Sequence, residues 1–479
     1  MSKFNATNTI KAVNKCGAPA YSMDAKSKLV TQVLTSFFNE KKFYGDNSAE
    51  MQETIKAVID KEPQFVSNLA VFARRVFNMR SVSHVLTAYL AHETSGKPYV
   101  RSTIDGVVLR GDDLTEIMAF YLSTFGKPIP NSLRRAIADK LVSFDEYTMA
   151  KYKGDNKAVK MRDLLCLCRP TPKDDEQSAM WKRCLESRLE TPLTWEAELS
   201  AHGNTAETWE KLISSGKVGY MALLRNLRNI IKANPSNIQQ VYDIIQDSER
   251  VRKSKQLPFR FLSAYKAIGE SVGSRAFDAL ENAVEASVDN IKKISGTTVI
   301  AVDTSGSMSS PVSANSEIRC CEIGMMLGLL ANRICENSIF YTFNDDIEKQ
   351  SLSQRTGILF AATRLSRAQG GTNMFLPFTK MIFDKVKADR IIIISDNECN
   401  INSLWRRDKM VQSIAEEYRN VSGNDIWVHA VDIQGYGTQQ FHGKKTNIIA
   451  GWSEKVLDFI LLAEQGEDTL INRISNYHW

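Results

Sequence analysis

The chain has few histidines and no cysteine pair spaced for metal binding. It contains six scattered histidines and eight cysteines, but no Cys-x-x-Cys. Cys166 and Cys168 are separated by one residue, and Cys320 and Cys321 are adjacent. These spacings argue against a zinc site, and we expect reduced thiols in a reducing compartment.

Long apolar runs are also absent. No uninterrupted apolar stretch approaches the roughly 20 residues that a membrane span needs, and residues 1–5 contain no apolar signal core. We therefore expect a cytoplasmic protein that does not enter a membrane. With 479 residues, of which 43% are hydrophobic and 24% charged, the chain has a globular composition and the length of two or more domains.

The net charge of +6 is unevenly placed. Residues 1–295 contain 43 Lys and Arg against 34 Asp and Glu, whereas the whole chain contains 61 against 55. The basic excess is thus confined to the first part of the chain. Such an excess favours a polyanionic partner there, and the simpler alternative is an ordinary solvated surface.

The most informative motif follows a short buried strand. Residues 297–302 are apolar and β-branched, and they lead directly into Asp303-Thr304-Ser305-Gly306-Ser307. A carboxylate and two hydroxyls at alternate positions can turn toward one hard cation, and Mg²⁺ prefers such oxygen ligands. The simpler alternative is a turn held by local side-chain hydrogen bonds.

Two further segments suit the same cation. The glycine-rich loop at 370–373 offers a threonine hydroxyl, and the buried strand at 390–395 is followed by an acid. Open α/β sheets bind ligands outside the carboxyl ends of their strands. This order of motifs is that of a metal-ion-dependent adhesion site and resembles a von Willebrand factor type A domain. The predicted ligands of a divalent cation, which we expect to be Mg²⁺, are Asp303, Ser305, Ser307, Thr372 and Asp396.

The rest of the chain divides into two patterns. From Asn47 to Ile291 helical spacing dominates, with short turns that contain Gly, Pro, Asn or Asp. Many helices of similar length suggest a HEAT-type α-solenoid, and an irregular helical domain is the alternative. After residue 295 strands alternate with helices, as in an open parallel α/β sheet of Rossmann-like type. The predicted strands are 297–302, 338–343, 390–395, 426–431 and 447–449, and the predicted helices are 316–336, 354–365, 378–387 and 408–417.

Several collinear stretches resemble the Ro autoantigen, or TROVE-domain, family of RNA-binding proteins. In family order they are residues 17–23 (Gly-Ala-Pro-Ala-Tyr-Ser-Met), 133–139 (Leu-Arg-Arg-Ala-Ile-Ala-Asp), 151–153, 162–165, 169–170, 221–227, 257–260 and 395–398 (Ser-Asp-Asn-Glu). The resemblance implies a multidomain α plus α/β protein. Residues 1–295 are expected to form a ring of HEAT-like helical repeats, the TROVE domain, and residues 296–479 a von Willebrand factor A-like domain with the metal site.

The same resemblance implies a function. Family members bind small structured noncoding RNAs, the Y RNAs, on a basic outer surface, and they hold single-stranded 3′ ends of misfolded RNA in the hole of the ring. They serve RNA quality control without being enzymes, and bacterial relatives tether a Y RNA to an exonuclease. We expect a monomeric ring with these RNA partners, and an exonuclease or another acidic protein as a possible protein partner.

Basic residues with interleaved tyrosine are the candidates for RNA contact, because Arg and Lys supply the phosphate contacts and aromatic rings stack on unpaired bases. Arg162 and Arg169 bracket an apolar stretch, and Arg225 and Arg228 share a helix face. Each residue taken singly can also be a solvated surface charge. The predicted RNA-binding residues are Arg134, Arg135, Lys151, Tyr152, Lys153, Lys157, Lys160, Arg162, Arg169, Arg225 and Arg228.

One position departs from the family pattern. Relatives often have His immediately before the basic-Asp-Leu-Leu unit, where this chain has Met161. Methionine cannot donate a hydrogen bond, so an RNA contact from that histidine is lost here. Asp163 is expected to cap or pair locally.

No motif in the sequence speaks for catalysis. Ser305 has no histidine or lysine partner within its motif, and a phosphate-binding Gly-x-x-x-x-Gly-Lys-Ser/Thr loop is absent. The main alternative function is a protein-binding adaptor, in which the metal site captures an acidic side chain of a partner. A chelatase-like ATPase accessory domain shares the metal motif, but the helical half does not match such proteins.

Overall fold

The computed structural model describes residues 11–14, 16–35, 48–154, 157–190, 194–269, 273–288, 291–311, 317–353, 356–400, 410–451, 453–465 and 470–479. The described residues form two compact units. One consists of the described parts of Met1–Asp24 and Thr194–Leu470, and the other of those of Ala25–Leu193 and Ile471–Trp479. The boundary predicted between residues 295 and 296 stays a prediction.

The unit that contains residues 25–193 is built from helices that bury one apolar face each. Several helices begin at side chains that accept backbone N–H groups, as Asp145 does from Thr148 and Asp174 does from Gln177. Its helices are α1 (Ala25–Leu34), α2 (Ser48–Lys61), α3 (Pro63–Arg75), α4 (Ser81–His92), α5 (Val100–Val107), α6 (Gly111–Phe125), α7 (Asn131–Leu141), α8 (Glu146–Lys151), α9 (Met161–Cys168) and α10 (Asp175–Leu185).

A buried carboxylate joins three helices of this unit. Asp113, at the start of α6, is fully buried and accepts hydrogen bonds from the backbone N–H groups of Leu109 and Arg110. Its oxygens also contact Arg74 at 3.2 Å, Arg80 at 2.5 Å and His84 at 3.0 Å. Burial raises the pKa of Asp113, but these partners outweigh it and hold the pKa far below its ordinary value. The charge is therefore compensated within the core.

The other unit begins with further helices and continues into strands. Thr194 and Thr205 each accept a backbone N–H as the caps of the first two helices. The helices are α11 (Trp195–His202), α12 (Ala206–Ser214), α13 (Tyr220–Ala233), α14 (Ile238–Gln246), α15 (Ser248–Ser254), α16 (Pro258–Ile268) and α17 (Ser274–Ala286). The prediction that this part of the chain is helical is confirmed, whereas the HEAT-type repeat stays a prediction.

The strands of the described residues form two sheets. They are β1 (Lys11–Val13), β2 (Pro19–Ser22), β3 (Ile294–Asp303), β4 (Cys335–Phe343), β5 (Ile347–Gln350), β6 (Arg390–Ser395), β7 (Trp427–Asp432), β8 (Thr438–Gln439) and β9 (Thr446–Ala450). The larger sheet has the order β5-β4-β3-β6-β7-β9. Its central pairs are parallel, and only β5 among these strands runs antiparallel, at one edge.

Helices cover this sheet, as predicted for an α/β domain. They are α18 (Cys320–Ile334), α19 (Ile358–Leu365), α20 (Leu376–Phe383), α21 (Gln412–Ser422) and α22 (Val456–Glu464), and a last helix, α23 (Leu470–Ser475), follows. The starts of three predicted helices (residues 316, 354–355 and 408–409) lie outside the described residues. The α/β fold and all five predicted strands are confirmed; β5 and the small sheet were not predicted.

The small sheet has the order β1-β2-β8 and joins distant parts of the sequence. Tyr21 is paired with Gln439 in an antiparallel register. Nearby, Asn14 donates its side-chain amide to the carbonyl of Cys399 at 2.8 Å, across 385 positions of sequence. The segment before residue 25 is thereby fixed against the α/β sheet within one unit. In the described part of the chain, no helix has both the length and the apolar character that crossing a membrane requires.

Candidate functional site

Three neighbouring parallel strands end in polar residues at the side of the large sheet where the carboxyl ends of the strands lie, which we call the carboxyl edge. Val302 in β3 pairs with Ile394 in β6, and Ser395 pairs with Asp432 in β7. Because parallel strands end at the same edge, Asp303 and Asp396 are brought to one side of the sheet. This edge is where the sequence predicts the cation.

Hydrogen bonds fix the first loop of the site around Asp303. Its two carboxylate oxygens accept the backbone N–H of Ser305 at 2.8 Å and the hydroxyl of Ser395 at 2.6 Å. The hydroxyls of Ser305 and Ser307 lie 3.1 Å apart. Asp303 and Ser305 are fully buried, whereas Ser307 is exposed. The side-chain oxygens of this loop therefore extend from the buried interior to the protein surface.

Backbone hydrogen bonds join this loop to the glycine-rich loop. Gly306 donates to the carbonyl of Gly370, and Gln369 donates to the carbonyl of Thr304, both at 2.8 Å. Thr372, two residues further along, is 1% exposed, and its hydroxyl oxygen has no hydrogen-bond partner among the described residues. A buried hydroxyl without a partner is costly, and a cation beside it would satisfy the oxygen.

The electrostatics of the edge favour a bound cation. Burial, and then the neighbouring Asp396, raise the pKa of Asp303 to about 7. Burial likewise raises the pKa of Asp432 to about 7. Ionisation of these acids is unfavourable chiefly because burial penalises the charged form. The donors are carboxylate and hydroxyl oxygens only, which is the chemistry that suits Mg²⁺.

Sequence reasoning missed several residues that build this edge. Ser395 and Asn400 position the predicted ligands, since the side chain of Asn400 accepts the backbone N–H of Thr372. Asp432 is fully buried and accepts the N–H groups of Gln434 and Gly435. Asp432 ends a predicted strand just as Asp303 does, so its position at a strand end was a usable signal.

The predicted RNA-binding residues between 134 and 169 all lie in the unit that contains α1 to α10. Arg135, Lys151, Lys157, Arg162 and Arg169 are exposed. The side chain of Lys157 forms an ion pair with Glu116 at 2.9 Å, which is also partly exposed. Exposed ion pairs contribute little free energy, so an RNA phosphate can compete for this lysine.

Three basic residues from separate positions meet at a small cavity. Lys153, Lys160 and Arg162 line a space of about 100 Å³ together with Cys184 and Ser187. The guanidinium of Arg162 donates to the hydroxyl of Ser187 at 3.3 Å. Asp163 accepts the backbone N–H of Lys160 at 2.9 Å, so it caps α9, as expected. The cap therefore fixes the backbone of Lys160 at the start of α9.

Cationic side chains lie close to two tyrosine rings around Lys151. The ammonium of Lys151 lies 5.3 Å from the ring centre of Tyr147 and 5.6 Å from that of Tyr152. The guanidinium of Arg110 lies 5.3 Å from the Tyr152 ring. Tyr147 is 53% exposed, so one ring faces solvent. Tyr147 and Arg110 were missed, although the four-residue spacing of Tyr147 and Lys151 on a helix was visible in the sequence.

Two positions in this region face the interior rather than the solvent. Arg134 is half-buried, and its Nε atom is enclosed without a hydrogen-bond partner in the part of the chain that the structure describes. Met161 is fully buried at the start of α9. The side chain that replaces the family's histidine therefore packs in the core.

Arg225 and Arg228 are exposed on α13. They belong to the unit that contains residues 194–470, and not to the one that carries residues 134–169. The predicted basic residues are thus divided between the two units: those from 134 to 169 lie in one, and the pair on α13 lies in the other.

A helical region that leads into an open α/β sheet, with acids and hydroxyls at its carboxyl edge, defines a helical protein with a von Willebrand factor A-type domain. A model of the TROVE domain matches residues 22–188 and 186–275, and a model of the Ro60 vWA domain matches residues 297–426. The chain belongs to the Ro, or TROVE-domain, family of RNA-binding proteins. The predicted resemblance is confirmed.

Individual relatives share a low percentage of identical residues with this chain. Telomerase protein component 1 of Rattus norvegicus is 25% identical over 325 residues, and that of Mus musculus is 25% identical over 328. Each match covers 50% of this chain and 12% of the relative. The crystal structure of the Deinococcus radiodurans Ro (RSR) protein superposes with a TM-score of 0.63 at 15% identity, over 92% of this chain and all of that one. The superposition shows a shared fold.

Proposed function

We propose that this protein is a non-enzymatic RNA chaperone of the Ro type, which binds small structured Y-like RNA and the single-stranded 3′ ends of misfolded RNA. The observation that carries the proposal is the exposed basic and aromatic group at residues 135–169 of a TROVE domain. Membership of the Ro family supports two further parts of this proposal. The helical repeats form a ring that holds the RNA 3′ end in its hole, and the protein serves RNA quality control.

The chemistry of this group suits RNA. Exposed arginine and lysine side chains attract phosphates and release counterions. The solvent-facing ring of Tyr147 and the neighbouring Tyr152 offer stacking surfaces for unpaired bases. Structured RNA offers both backbone phosphates and unpaired loop bases to the same protein surface.

Binding of two RNAs over a series of salt concentrations tests the proposal. One RNA is a stem with a single-stranded 3′ tail, and the other is the same stem with a blunt end. We expect submicromolar binding of the tailed RNA, with log K falling steeply and linearly against log salt. Absence of binding to either RNA at low salt, by protein with a native circular dichroism spectrum, would overturn the RNA function.

We further propose that Asp303, Ser305, Ser307 and Thr372 hold Mg²⁺, with Asp396 acting directly or through a water. When bound, the cation supplies an electrophilic position that an acidic side chain of a protein partner, such as an exonuclease, can fill. The orphan hydroxyl of Thr372 and the raised pKa of Asp303 support this proposal. The chain's own residues orient the site, since Ser395 and Asn400 fix the carboxylate and the threonine.

Replacing one ligand separates the two activities. We expect Asp303→Ala to abolish stabilisation by Mg²⁺, measured as the shift of the thermal midpoint on adding the metal, because it removes a carboxylate from the site. RNA affinity should stay within about twofold of wild type. Loss of RNA binding in a folded Asp303→Ala variant would show that the metal site and the RNA site are not separate.

A further inference from the structure

A cavity of the α/β domain lies beside the proposed cation site. It has a volume of about 410 Å³, is open to solvent on one side, and is lined by the end of β4, by β5, by the end of α19 and by the segment that follows α19. Thr304, which lies between Asp303 and Ser305, forms part of its wall. The volume is within the range of ligand-binding pockets.

The lining of this cavity is polar and carries both signs of charge. Asp346 and Glu348 contribute two carboxylates, and Arg364 and Arg367 contribute two guanidinium groups. All four residues are exposed, and within the described residues none of them takes part in an ion pair closer than 4.0 Å. Apolar cofactors do not suit such a lining. A ligand with both basic and acidic groups complements it, because each charge meets its opposite.

Hydrogen bonds connect the cavity wall to the cation loops. Gln369, which lines the cavity, donates to the carbonyl of Thr304 at 2.8 Å. Gly371 donates to the carboxylate of Asp345 at 2.7 Å, and Asn373 donates to the carbonyl of Asn344 at 3.0 Å. These hydrogen bonds therefore hold the turn that carries Asp346 in a fixed position relative to the loop that carries Thr372. A ligand that contacts both the turn and the loop would find their polar groups at fixed distances from each other.

The terminal strand of the large sheet contributes to the wall of the same cavity. Among the described strands, β5 pairs only with β4 and is the terminal strand of the large sheet. Ile347, Glu348 and Gln350 of this strand line the cavity, whereas Lys349 does not. An edge strand can hydrogen-bond an added extended segment, and the side chains of that segment then select the partner. A polypeptide is the ligand class that uses both the edge and the charged lining.

We propose that this cavity is a specificity site for an extended segment of a protein partner, whose side chains of both charges flank the acid that completes the cation. A basic side chain of the segment binds Asp346 and Glu348, and an acidic one binds Arg364 and Arg367. This inference rests on the proposed capture of an acid at Asp303. It adds a reason why some acidic proteins bind and others do not, because the cation alone recognises any accessible carboxylate.

Fluorescent peptides of defined charge test the inference on the full-length protein. One glycine-serine peptide carries a single aspartate, and a second carries the same aspartate flanked by an arginine and a glutamate. With Mg²⁺ present, we expect the second peptide to bind about tenfold more tightly in anisotropy titrations. The double variant Asp346→Lys with Glu348→Lys, or Arg364→Glu with Arg367→Glu, should remove that advantage. The control Lys349→Glu, on the same strand but outside the lining, should keep it.

The outcomes separate this inference from the metal proposal. Equal binding of both peptides in Mg²⁺, abolished by chelation, would overturn the specificity site and leave capture of an acid intact. Persistent tight binding of the flanked peptide after chelation, lost in the cavity variants, would support the cavity and refute the role of the cation. Failure of both peptides to bind a protein that Mg²⁺ stabilises would overturn the cavity and the capture of acids together.

Discussion

At the scale of single residues, one buried histidine of the α/β domain has a hydrogen-bond partner at each of its ring nitrogens. The amide nitrogen of Asn447 donates to the carbonyl of Phe459 at 3.2 Å and lies 3.1 Å from Nδ1 of His429. Nδ1 must then accept, so Nε2 carries the proton and donates to Glu464 at 3.0 Å. Arg390 completes the network with two hydrogen bonds to Glu464.

This network makes stability depend on pH in a defined direction. Burial lowers the pKa of His429 below its ordinary value of 6.5. Burial alone would raise the pKa of Glu464, but hydrogen bonds from His429 and Arg390 lower it to about 2. Both folded groups bind protons less readily than in the unfolded chain. The stability contributed by neutral His429 is thus lost as the pH falls through 6.5, and that of ionised Glu464 as it falls from 4.5 toward 2.

We expect His429→Gln to flatten the pH dependence of stability between about pH 7 and about pH 5. One proton changes the free energy of unfolding by at most about 1.4 kcal/mol per pH unit. Urea unfolding at several pH values, followed by circular dichroism, measures the slope. His202→Gln, at a largely exposed histidine, is the control. An unchanged slope in the His429 variant would show that this residue titrates alike in both states.

The same scale shows what the sequence can and cannot predict about the site. Asp303, Ser305 and Ser307 follow a strand at alternate positions, so their convergence is encoded locally. The hydroxyl of Ser395 reaches Asp303 across 92 positions, and the side chain of Asn400 holds the Thr372 backbone across 28. Such contacts depend on which strands become neighbours. Nothing in the local spacing around residues 395 or 400 specifies them.

At the scale of elements, α18 lies unusually close to the sheet. An added Cβ at Gly328 would lie 2.6 Å from a methyl of Val302 in β3 and 3.1 Å from the ring of Phe340 in β4. Both neighbours are fully buried. The absence of a side chain at this position therefore sets the distance between the helix and the strand that leads into the cation loop.

We expect Gly328→Ala to destabilise the protein by about 1–3 kcal/mol, because the added methyl overpacks the core. In an exposed helix the same substitution would stabilise by up to about 1 kcal/mol, so the sign of the change is diagnostic. The free energy of unfolding in urea measures it. Gly219→Ala, at a helix N-cap with no atom within 4 Å of the added Cβ, should destabilise by less than about 1 kcal/mol, because alanine is only a poorer N-cap and meets no clash there. Stabilisation by Gly328→Ala would show that α18 can move outward.

The strands that the sequence predicted are those whose apolar residues are contiguous. Residues 390–395 contain four consecutive isoleucines and are all buried, as a central parallel strand requires. β5 has only four residues and an exposed, charged character, so its pattern does not differ from that of a turn. β1, β2 and β8 were missed because each is short and finds its partner far away in the sequence.

At the scale of the whole molecule, the basic excess of residues 1–295 is the property that RNA would detect. Arg135, Lys151, Arg162 and Arg169 are exposed in one compact unit. Long-range attraction depends on the summed charge of such a group, whereas each lost phosphate contact also lowers the salt dependence of binding.

We expect reversal of these four residues to glutamate to lower the slope of log K against log salt by about 3, since each contact contributes about 0.7–0.9. Affinity at low salt should fall at least about hundredfold. Filter binding of the tailed RNA over the salt series provides the slope. The control reverses Lys349, Lys385, Lys387 and Lys444, which are exposed in the α/β domain, and produces the same net charge. Equal losses in both variants would mean that net charge, and not a localised surface, governs binding.

The pairing of Tyr21 with Gln439 has a consequence for biosynthesis. Translation is directional, so β2 leaves the ribosome long before β8 exists. β2 can pair with β1 at once, but its other side must remain open while several hundred residues are added, because the contact with β8 closes a very long loop. Ribosome-bound chains that stop before residue 438 should therefore leave residues 19–22 open to proteolysis, and chains that extend past β9 should protect them.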